Sequence, residues 1–177
     1  RFRFDARVDG KQALMDGAAE GTPKMHGCPV TQSHGQEVIH PTREQYLDVA
    51  KSLADEGYTM ALDLCGVDYL QHMSRPLPYG IVPERFEVVV QLLDIGNRRR
   101  TRLRVQVPES DPVVASLFDL HPGIEAPERE TYDMFGIEFD DHPDLTRILM
   151  PEDWDGHPLR KDFGLGSIPV QFKEVHA

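Results

Sequence analysis

The segment RFEVVVQLLDIGNRRRTRLRVQV, residues 85–107, predicts two neighbouring antiparallel strands joined by a short turn. Gly96-Asn97 is a common turn signal between strands. Side chains of a strand point alternately to its two faces, so every second residue shares a face. Val89 and Leu93 fall on the outer face, which is therefore expected to be partly covered as well. The side chains predicted to face the core are Phe86, Val88, Val90, Leu92, Thr101, Leu103, Val105 and Val107.

The second strand and its start carry five arginines: Arg98, Arg99, Arg100, Arg102 and Arg104. Such a run can bind phosphate or nucleic acid, but no aromatic residue interleaves with it and no glycine-rich phosphate loop lies nearby. The formal net charge of −11 over 177 residues also disfavours nucleic acid as a partner, because phosphate binding needs clustered cations. We interpret the arginine run as a solvated or partner-facing strand surface.

An amphipathic helix and a further strand precede this pair. In TREQYLDVAKSLADEG, residues 42–57, Thr42 can cap the helix while Gln45 reaches back, and Gly57 supplies the stop. The next segment, YTMALDLCGVDYL at residues 58–70, predicts a strand. The apolar face of the helix, set by its 3.6-residue period, contains Tyr46, Val49, Ala50, Leu53 and Ala54.

Two short helices and a last strand are predicted after the arginine strand. DPVVASLFDL, residues 111–120, predicts a helix with Pro112 at its first position. PERETYDMF, residues 127–135, predicts another helix, stopped by Gly136, and IEF at 137–139 predicts one last strand. The predicted fold class is α+β: a small mixed or antiparallel sheet packed with a few helices, followed by an extended irregular C-terminal tail.

Glycine and proline divide the chain into three predicted regions. Residues 1–37 are expected to form an irregular N-terminal arm, residues 38–139 an α+β domain, and residues 140–177 an extended partner-binding tail. The chain begins with Arg1 rather than methionine, so the true start is expected upstream. The tail contains apolar residues that need burial: Leu145, Ile148, Leu149, Met150, Trp154, Leu159, Phe163 and Phe172.

Acidic residues are concentrated in one part of the chain. Between Val105 and Pro158 there are fourteen Asp and Glu residues, but Arg129 and Arg147 are the only basic Lys or Arg residues. Such a surface favours a basic partner and repels nucleic acid. No apolar run approaches the roughly 20 residues that a membrane helix needs, so no direct membrane span is expected.

An enzymatic hypothesis can be built on Asp140, His142 and His157 as ligands of a divalent metal that activates one water for hydrolysis. These residues lie on a proline-broken segment, which gives a metal site little rigid support. Cys28 and Cys65 are expected to be free thiols and are too few for a four-cysteine iron–sulfur cluster. We predict no catalytic residues, and a metal-dependent hydrolase remains the alternative of a different class.

The same acidic and basic residues fit a partner-binding surface. Arg129 and Asp133 are four residues apart on a predicted helix and can pair along one side. Arg160 and Lys161 follow Leu159 in an extended segment, and we expect them to pair with acidic groups on a partner or on this chain. Mixed charge beside single apolar anchors is typical of a partner-bound extended segment.

Two blocks resemble a known family. ERETYDMFGIEF at 128–139, with HPDLTRIL at 142–149, closely resembles the signature of the 30 kDa subunit family of respiratory complex I, the proton-pumping NADH:quinone oxidoreductase. GHPLRKDF at 156–163 resembles the second block of that family, and the likeness extends from about Thr42 to Phe163. The tryptophan that often precedes the first block in the family is missing here.

The resemblance implies a partner interface and no catalytic, metal-binding or cofactor-binding residue on this chain. Members of the family carry no cofactor of their own; FMN, iron–sulfur clusters, NADH and quinone belong to other subunits of the parent complex. The residues of the two blocks that we assign to the partner interface are Glu128, Arg129, Glu130, Asp133, Phe135, Gly136, His142, Pro143, Asp144, Arg147, Leu149, His157, Pro158, Leu159, Arg160, Lys161, Asp162 and Phe163.

The implied partners are the quinone-site subunit, which resembles a hydrogenase large subunit, and the neighbouring iron–sulfur subunits of the peripheral arm. The implied role is structural: docking on the quinone-site subunit supports electron transfer from NADH to quinone, coupled to proton translocation. The implied location is peripheral, on the cytoplasmic face of a bacterial membrane or the matrix face in mitochondria. The alternative within this class is the homologous subunit of a membrane-bound hydrogenase or a ferredoxin- or F420-linked complex.

Overall fold

A computed structural model describes residues 23–164. The strands and helices, in chain order, are β1 (Lys24–Met25), β2 (Cys28–Ser33), β3 (Gln36–Ile39), α1 (Arg43–Asp55), β4 (Met60–Asp68), β5 (Phe86–Asp94), β6 (Arg99–Val107), β7 (Val113–Ala115), α2 (Glu125–Phe135) and β8 (Glu138–Asp140). A single 3-10 turn, Pro122–Ile124, leads into α2.

Six strands form one mixed sheet in the order β1-β2-β3-β6-β5-β4. Its neighbouring strands are antiparallel except β3 and β6, which are parallel. Strands β7 and β8 form a separate parallel pair. A mixed sheet packed with two helices confirms the predicted α+β class.

The predicted strand pair at the centre of the sheet is confirmed. β5 and β6 pair without interruption from Phe86 opposite Val107 to Asp94 opposite Arg99. All eight side chains predicted to face the core are buried. Helix α1 lies over this face with Tyr46 and Leu53 fully buried, and its predicted capping box at Thr42 is present.

The arm predicted to be irregular contains strands. Residues 24–39 form β1, β2 and β3, and residues 1–22 lie outside the described part of the chain. His34 and Gly35 adopt φ angles of 53° and 73°, which are the backbone values of a tight turn between paired strands. The glycines therefore make hairpin turns, and β3 is held in the sheet by β6, some 60 residues away in sequence, whose Leu103 lies opposite Ile39.

The helix predicted over residues 111–120 is absent, and its first part is strand β7. Val114 is buried opposite Phe139 of β8, and β-branched residues favour extended backbone. Arg43 Nη1 donates to the carbonyl oxygens of Asp111 and Val113 at 2.9 and 3.0 Å. Those carbonyls would be needed for the first turn of a helix, so this distant arginine favours the strand.

Helix α2 lies close to strand β4 because Gly66 has no side chain. A Cβ atom there would lie 2.7 Å from Cδ2 of Phe135 and 3.0 Å from Cγ2 of Thr131. The helix starts at Glu125, two residues before the predicted start, and ends at Gly136, whose φ is 69°. This packing places the C-terminal end of α2 near the last residues of β4.

Two of the four arginines of β6, Arg99 and Arg104, form ion pairs within the chain. Arg104 Nε donates to Oε1 of buried Glu87 at 2.6 Å, and Arg99 Nη2 donates to Oδ2 of Asp94 at 2.7 Å. The loop between β4 and β5 folds over the same face, where the Arg75 guanidinium lies 3.6 Å from the centre of the Tyr69 ring. Two arginines of the run are therefore paired within the chain, whereas Arg100 is exposed.

Candidate partner interface

Several of the predicted interface residues meet at the C-terminal end of α2. Asp133 of α2 is fully buried, and its Oδ2 accepts hydrogen bonds from the backbone N–H groups of Ile148, Leu149 and Met150 at 3.1, 2.8 and 2.8 Å. Its Oδ1 accepts from Arg147 Nη1 at 2.7 Å. One carboxylate thus fixes a stretch of chain that has neither helix nor strand.

The hydrogen-bond donors around Asp133 favour the ionised form of its carboxyl group. Burial raises the pKa of its carboxyl, but the hydrogen bonds from the Met150 amide, the Arg147 guanidinium and the neighbouring amides outweigh burial and lower the pKa below the ordinary aspartate value. Hydrogen bonds to a charged group stabilise the charged form. Asp133 is therefore an anion at neutral pH, and three successive amides form the anion-binding concavity around it.

The two arginines of the acidic region complete this arrangement. Arg147 Nη2 donates to the carbonyl oxygens of Trp154 and Gly156, both at 3.1 Å. Arg129 Nη2 donates to Oγ1 of Thr146 at 2.9 Å, and its Nη1 donates to Oε1 of Glu125 at 3.0 Å. The predicted pairing of Arg129 with Asp133 is therefore wrong. Arg129 pairs one turn back instead, and Asp133 pairs with an arginine from the tail.

A second attachment joins the tail to the sheet through Arg85. This arginine is buried, and its Nη2 donates to Oδ2 of Asp68 at 3.0 Å and to Oδ1 of Asp162 at 2.6 Å. Its Nη1 also pairs with Glu109. The backbone N–H of Lys161 donates to Oδ2 of Asp68 at 2.8 Å. Residues 161–162 are therefore held by a buried ion pair between Asp68 of β4 and Arg85, which directly precedes β5.

Arg160 does not pair with a carboxylate within residues 23–164. Its Nε donates to the carbonyl oxygen of Phe135 at 2.6 Å, and its guanidinium lies 5.1 Å from the centre of the Phe86 ring. The adjacent Leu159 N–H donates to the carbonyl oxygen of Met134 at 3.1 Å. Arg160 thus covers the last turn of α2, and its pairing with a partner stays a prediction.

Gly136 allows the tail to pass close to the end of α2. A Cβ atom there would lie 2.5 Å from Nε2 of His157 and 2.7 Å from Nη2 of Arg160. His157 Nδ1 lies 3.0 Å from the carbonyl oxygen of Asp133, and its ring meets Tyr132 edge-on with centroids 6.3 Å apart. The left-handed backbone and this close approach both require glycine.

Glu128 is fully buried and joins α2 to the segment after β7. Its Oε2 accepts from the Ser116 hydroxyl at 2.6 Å, and its Oε1 accepts from the Leu117 N–H at 2.8 Å. Burial is the main reason that the pKa of Glu128 is raised. His142 Nε2 lies 3.9 Å from Oε2 of Glu128 and 3.2 Å from the carbonyl oxygen of Glu125. Glu128 therefore stabilises the domain internally.

The structure does not bring together Asp140, His142 and His157, the metal ligands of the hydrolase alternative. Among residues 23–164, no three His, Cys, Asp or Glu side chains are grouped so that they could hold a metal ion. His142 Nδ1 accepts from the Asp144 N–H at 3.1 Å, and Nε2 faces the backbone of α2, so both ring nitrogens are in use. Cys28 and Cys65 are free, as predicted. No helix of the described region is long and apolar enough to cross a membrane.

The candidate interface has a polar buried layer and an apolar surface. No local pattern in the sequence indicates that Asp68 and Arg85 take part, because only the pairing of β4 with β5 brings them together beside the tail. Ile148 is also not among the residues predicted for the interface. Among residues 140–164 of the tail, three large apolar side chains stay exposed: Ile148, Leu149 and Leu159. Exposed charged residues of the two blocks are Glu130, Glu138, Asp144, Lys161 and Asp162.

Comparison with known proteins identifies the family. The sequence profile of the respiratory-chain NADH dehydrogenase 30 kDa subunit matches residues 39–168. An NADH-quinone oxidoreductase subunit of Saccharopolyspora erythraea is 43% identical over 173 residues, which cover 96% of this chain and 65% of that relative. The protein of the same description from Roseiflexus castenholzii is 49% identical over 145 residues, covering 80% of this chain and 78% of the relative.

Solved structures share the fold. A chain described as "Nqo5 of the trypsin-resistant fragment (1-134) in P63 form" has a TM-score of 0.60 and 35% identity, covering 67% of this chain and 90% of its own length. A chain of the membrane-bound sulfane sulfur reductase, an archaeal respiratory membrane complex, has a TM-score of 0.64 over 78% of both chains. Its 16% identity supports a shared fold alone. On the sequence profile and the two relatives, this chain belongs to the 30 kDa subunit family of respiratory-chain NADH dehydrogenases.

Proposed function

We propose that this chain is a non-redox structural subunit in the peripheral arm of an NADH:quinone oxidoreductase, where it docks on the quinone-site subunit and stabilises it. The observation that carries the proposal is that signature residues of the family hold the tail in place. Asp133, Arg147 and Gly136 hold the tail against α2, while apolar tail residues remain at the surface. Such an arrangement prepares a surface for a partner rather than a site for a reaction.

The proposed context follows from the relatives, which are named as subunits of NADH-quinone oxidoreductase. In that context the neighbours are the quinone-site subunit and the iron–sulfur subunits beside it. FMN, iron–sulfur clusters, NADH and quinone are held by other subunits, and the chain lies on the cytoplasmic face of the membrane as part of the complex. Its contribution to electron transfer and proton translocation is then to keep the quinone-site subunit assembled.

Affinity purification from the native host tests the proposal. The tagged chain is isolated from membranes solubilised in mild detergent, and the proteins that accompany it are identified by mass spectrometry. We expect the quinone-site subunit, neighbouring iron–sulfur subunits and the NADH-oxidising subunits. Accompanying hydrogenase or ferredoxin-linked subunits would instead support the alternative complex, and recovery of the chain alone would contradict both.

The isolated chain provides a second test. Purified without its partners, it is expected to be colourless and to oxidise no NADH, because it contains no nucleotide-binding loop or cluster-ligand set in its sequence. A stoichiometric bound metal measured by elemental analysis, with hydrolase activity lost on chelation, would favour the hydrolase hypothesis instead.

A further inference from the structure

We propose that Ile148 and Leu149 form the apolar centre of the interface, and that they enter an apolar pocket with a cationic rim on the quinone-site subunit. This inference rests on the proposed function. It adds the two side chains that carry most of the binding and the chemistry of the surface that receives them.

The loop that presents these side chains is held in one conformation. The backbone amides of Ile148, Leu149 and Met150 all donate to one buried carboxylate oxygen of Asp133. The Arg147 side chain connects the same carboxylate with the carbonyl oxygens of residues 154 and 156. Each amide of the loop is thereby directed inward, which turns the adjacent side chains outward.

The side chains of Ile148 and Leu149 are not buried by the rest of the chain. Ile148 is 41% exposed and Leu149 is 56% exposed, although a buried carboxylate and a largely buried guanidinium hold their backbone. Fixing a loop before binding lowers the conformational entropy that is lost on association. A backbone held in one conformation beneath exposed apolar side chains is therefore expected at a binding centre. On a surface that binds nothing, it would have no such benefit.

Charge indicates the partner's chemistry. The exposed acids that flank the loop in sequence are Asp144, Glu152, Asp153 and Asp155, and Glu130 is exposed on α2 one turn before Asp133. Arg147 of the loop and Arg129, which bonds to the Arg147 carbonyl, are both used inside the chain. A second copy of this chain would bring acid against acid, so the complementary occupant is a partner surface with Lys or Arg around an apolar pocket.

Binding of the full chain to the purified quinone-site subunit tests this assignment. Leu149→Asp and Ile148→Asp are compared with Val82→Asp, because Val82 is an exposed apolar residue of the loop between β4 and β5, with 69% exposure. We expect Leu149→Asp to raise Kd by at least about 30-fold, as at an interface hot spot. Val82→Asp should stay within about 2-fold, and the melting temperature of each free variant should match the parent.

The charge component has its own control. Glu152→Lys combined with Asp153→Lys is expected to slow association by about 10-fold at low salt and less at high salt, because steering by exposed charges is screened. Glu44→Lys combined with Asp48→Lys, at two exposed acids of α1, changes the net charge equally and should leave the association rate unchanged. An equal effect of both changes would show that only net charge matters, and the cationic rim would be refuted.

The remaining outcomes separate the two proposals. If the parent chain binds and Leu149→Asp binds equally well, the inferred interface centre is wrong while the proposed function stands. If the parent chain does not bind at all, the proposed function itself fails. A free Leu149→Asp variant that melts lower would show that other residues of this chain cover the loop. A Leu149-dependent dimer in gel filtration would assign the surface to a second copy.

Discussion

Arg147 donates from Nη1 to Oδ1 of Asp133 at 2.7 Å, although the two residues are fourteen positions apart and belong to a tail and a helix. The side chain of Asp133 is 0% exposed and that of Arg147 is 15% exposed. Removing two such charges from water is costly unless further hydrogen bonds satisfy them. Three backbone amides and two carbonyls do so here, which explains how a segment without helix or strand, residues 146–156, is held in place.

Asp133→Asn is expected to lower the free energy of unfolding by about 2–4 kcal/mol, because it removes the buried anion and leaves Arg147 uncompensated. The amides of residues 148–150 should exchange with solvent much faster, since their acceptor is weakened. Denaturant unfolding and hydrogen exchange measure these effects. Asp153→Asn, at an exposed acid, is the control, and equal losses in both variants would contradict the role of Asp133.

His40 is expected to make the domain less stable as pH falls from about 6.5 to 4. It is 1% exposed, and its Nε2 lies 2.9 Å from Oγ1 of Thr31. Burial, followed by the charge of Arg104, lowers its pKa from 6.5 to about 4. The unfolded chain therefore binds more protons in this window, so stability is present above pH 6.5 and is lost as pH falls. The loss amounts to about 3 kcal/mol at pH 4.

Urea unfolding of the parent and of His40→Asn at pH 7 and pH 4 measures this effect. The asparagine variant should lose less stability between the two pH values, because it cannot bind the proton. His34→Asn is the control, since His34 is exposed in a turn with a φ of 53° that asparagine tolerates. A variant at position 40 that follows the parent's pH dependence would assign the effect to other groups.

Gly136→Ala is expected to destabilise the chain by about 2–4 kcal/mol through left-handed backbone strain and overlap with His157 and Arg160. Gly80→Ala separates these two causes, because Gly80 has a φ of 86° but no atom within 4 Å of its added Cβ. It should cost only about 1 kcal/mol. Similar losses of unfolding free energy in both variants would show that crowding by the tail contributes nothing.

Arg85→Met is expected to cost about 3–5 kcal/mol, because it leaves Asp68 as a buried carboxylate without a cation. The double change Arg85→Met with Asp68→Leu should recover part of that loss, since neither charge is then left unpaired. Arg100→Met, at an exposed arginine of the same sheet, should change the unfolding free energy by less than about 0.5 kcal/mol. A double variant as unstable as the sum of the single variants would argue against direct coupling.

The sequence alone determined the elements whose signals are local. Alternation in β5 and β6 predicted both the strands and their buried face, because neighbouring residues of a strand point to opposite sides. Thr42 and Gln45 predicted the start of α1, and Gly136 predicted the end of α2, since caps depend on residues within one turn. The two signature blocks likewise predicted the family that the sequence profile identifies.

Tertiary structure decided the features whose partners are distant in sequence. β7 replaced a predicted helix because Arg43 takes its carbonyls and β8 pairs with it. Residues 36–39 joined the sheet because β6 lies beside them. Asp133 paired with Arg147 of the tail instead of Arg129 on its own helix. Local patterns report which face of an element is apolar, but a buried polar group bonds whichever donor or acceptor the packed chain brings within reach.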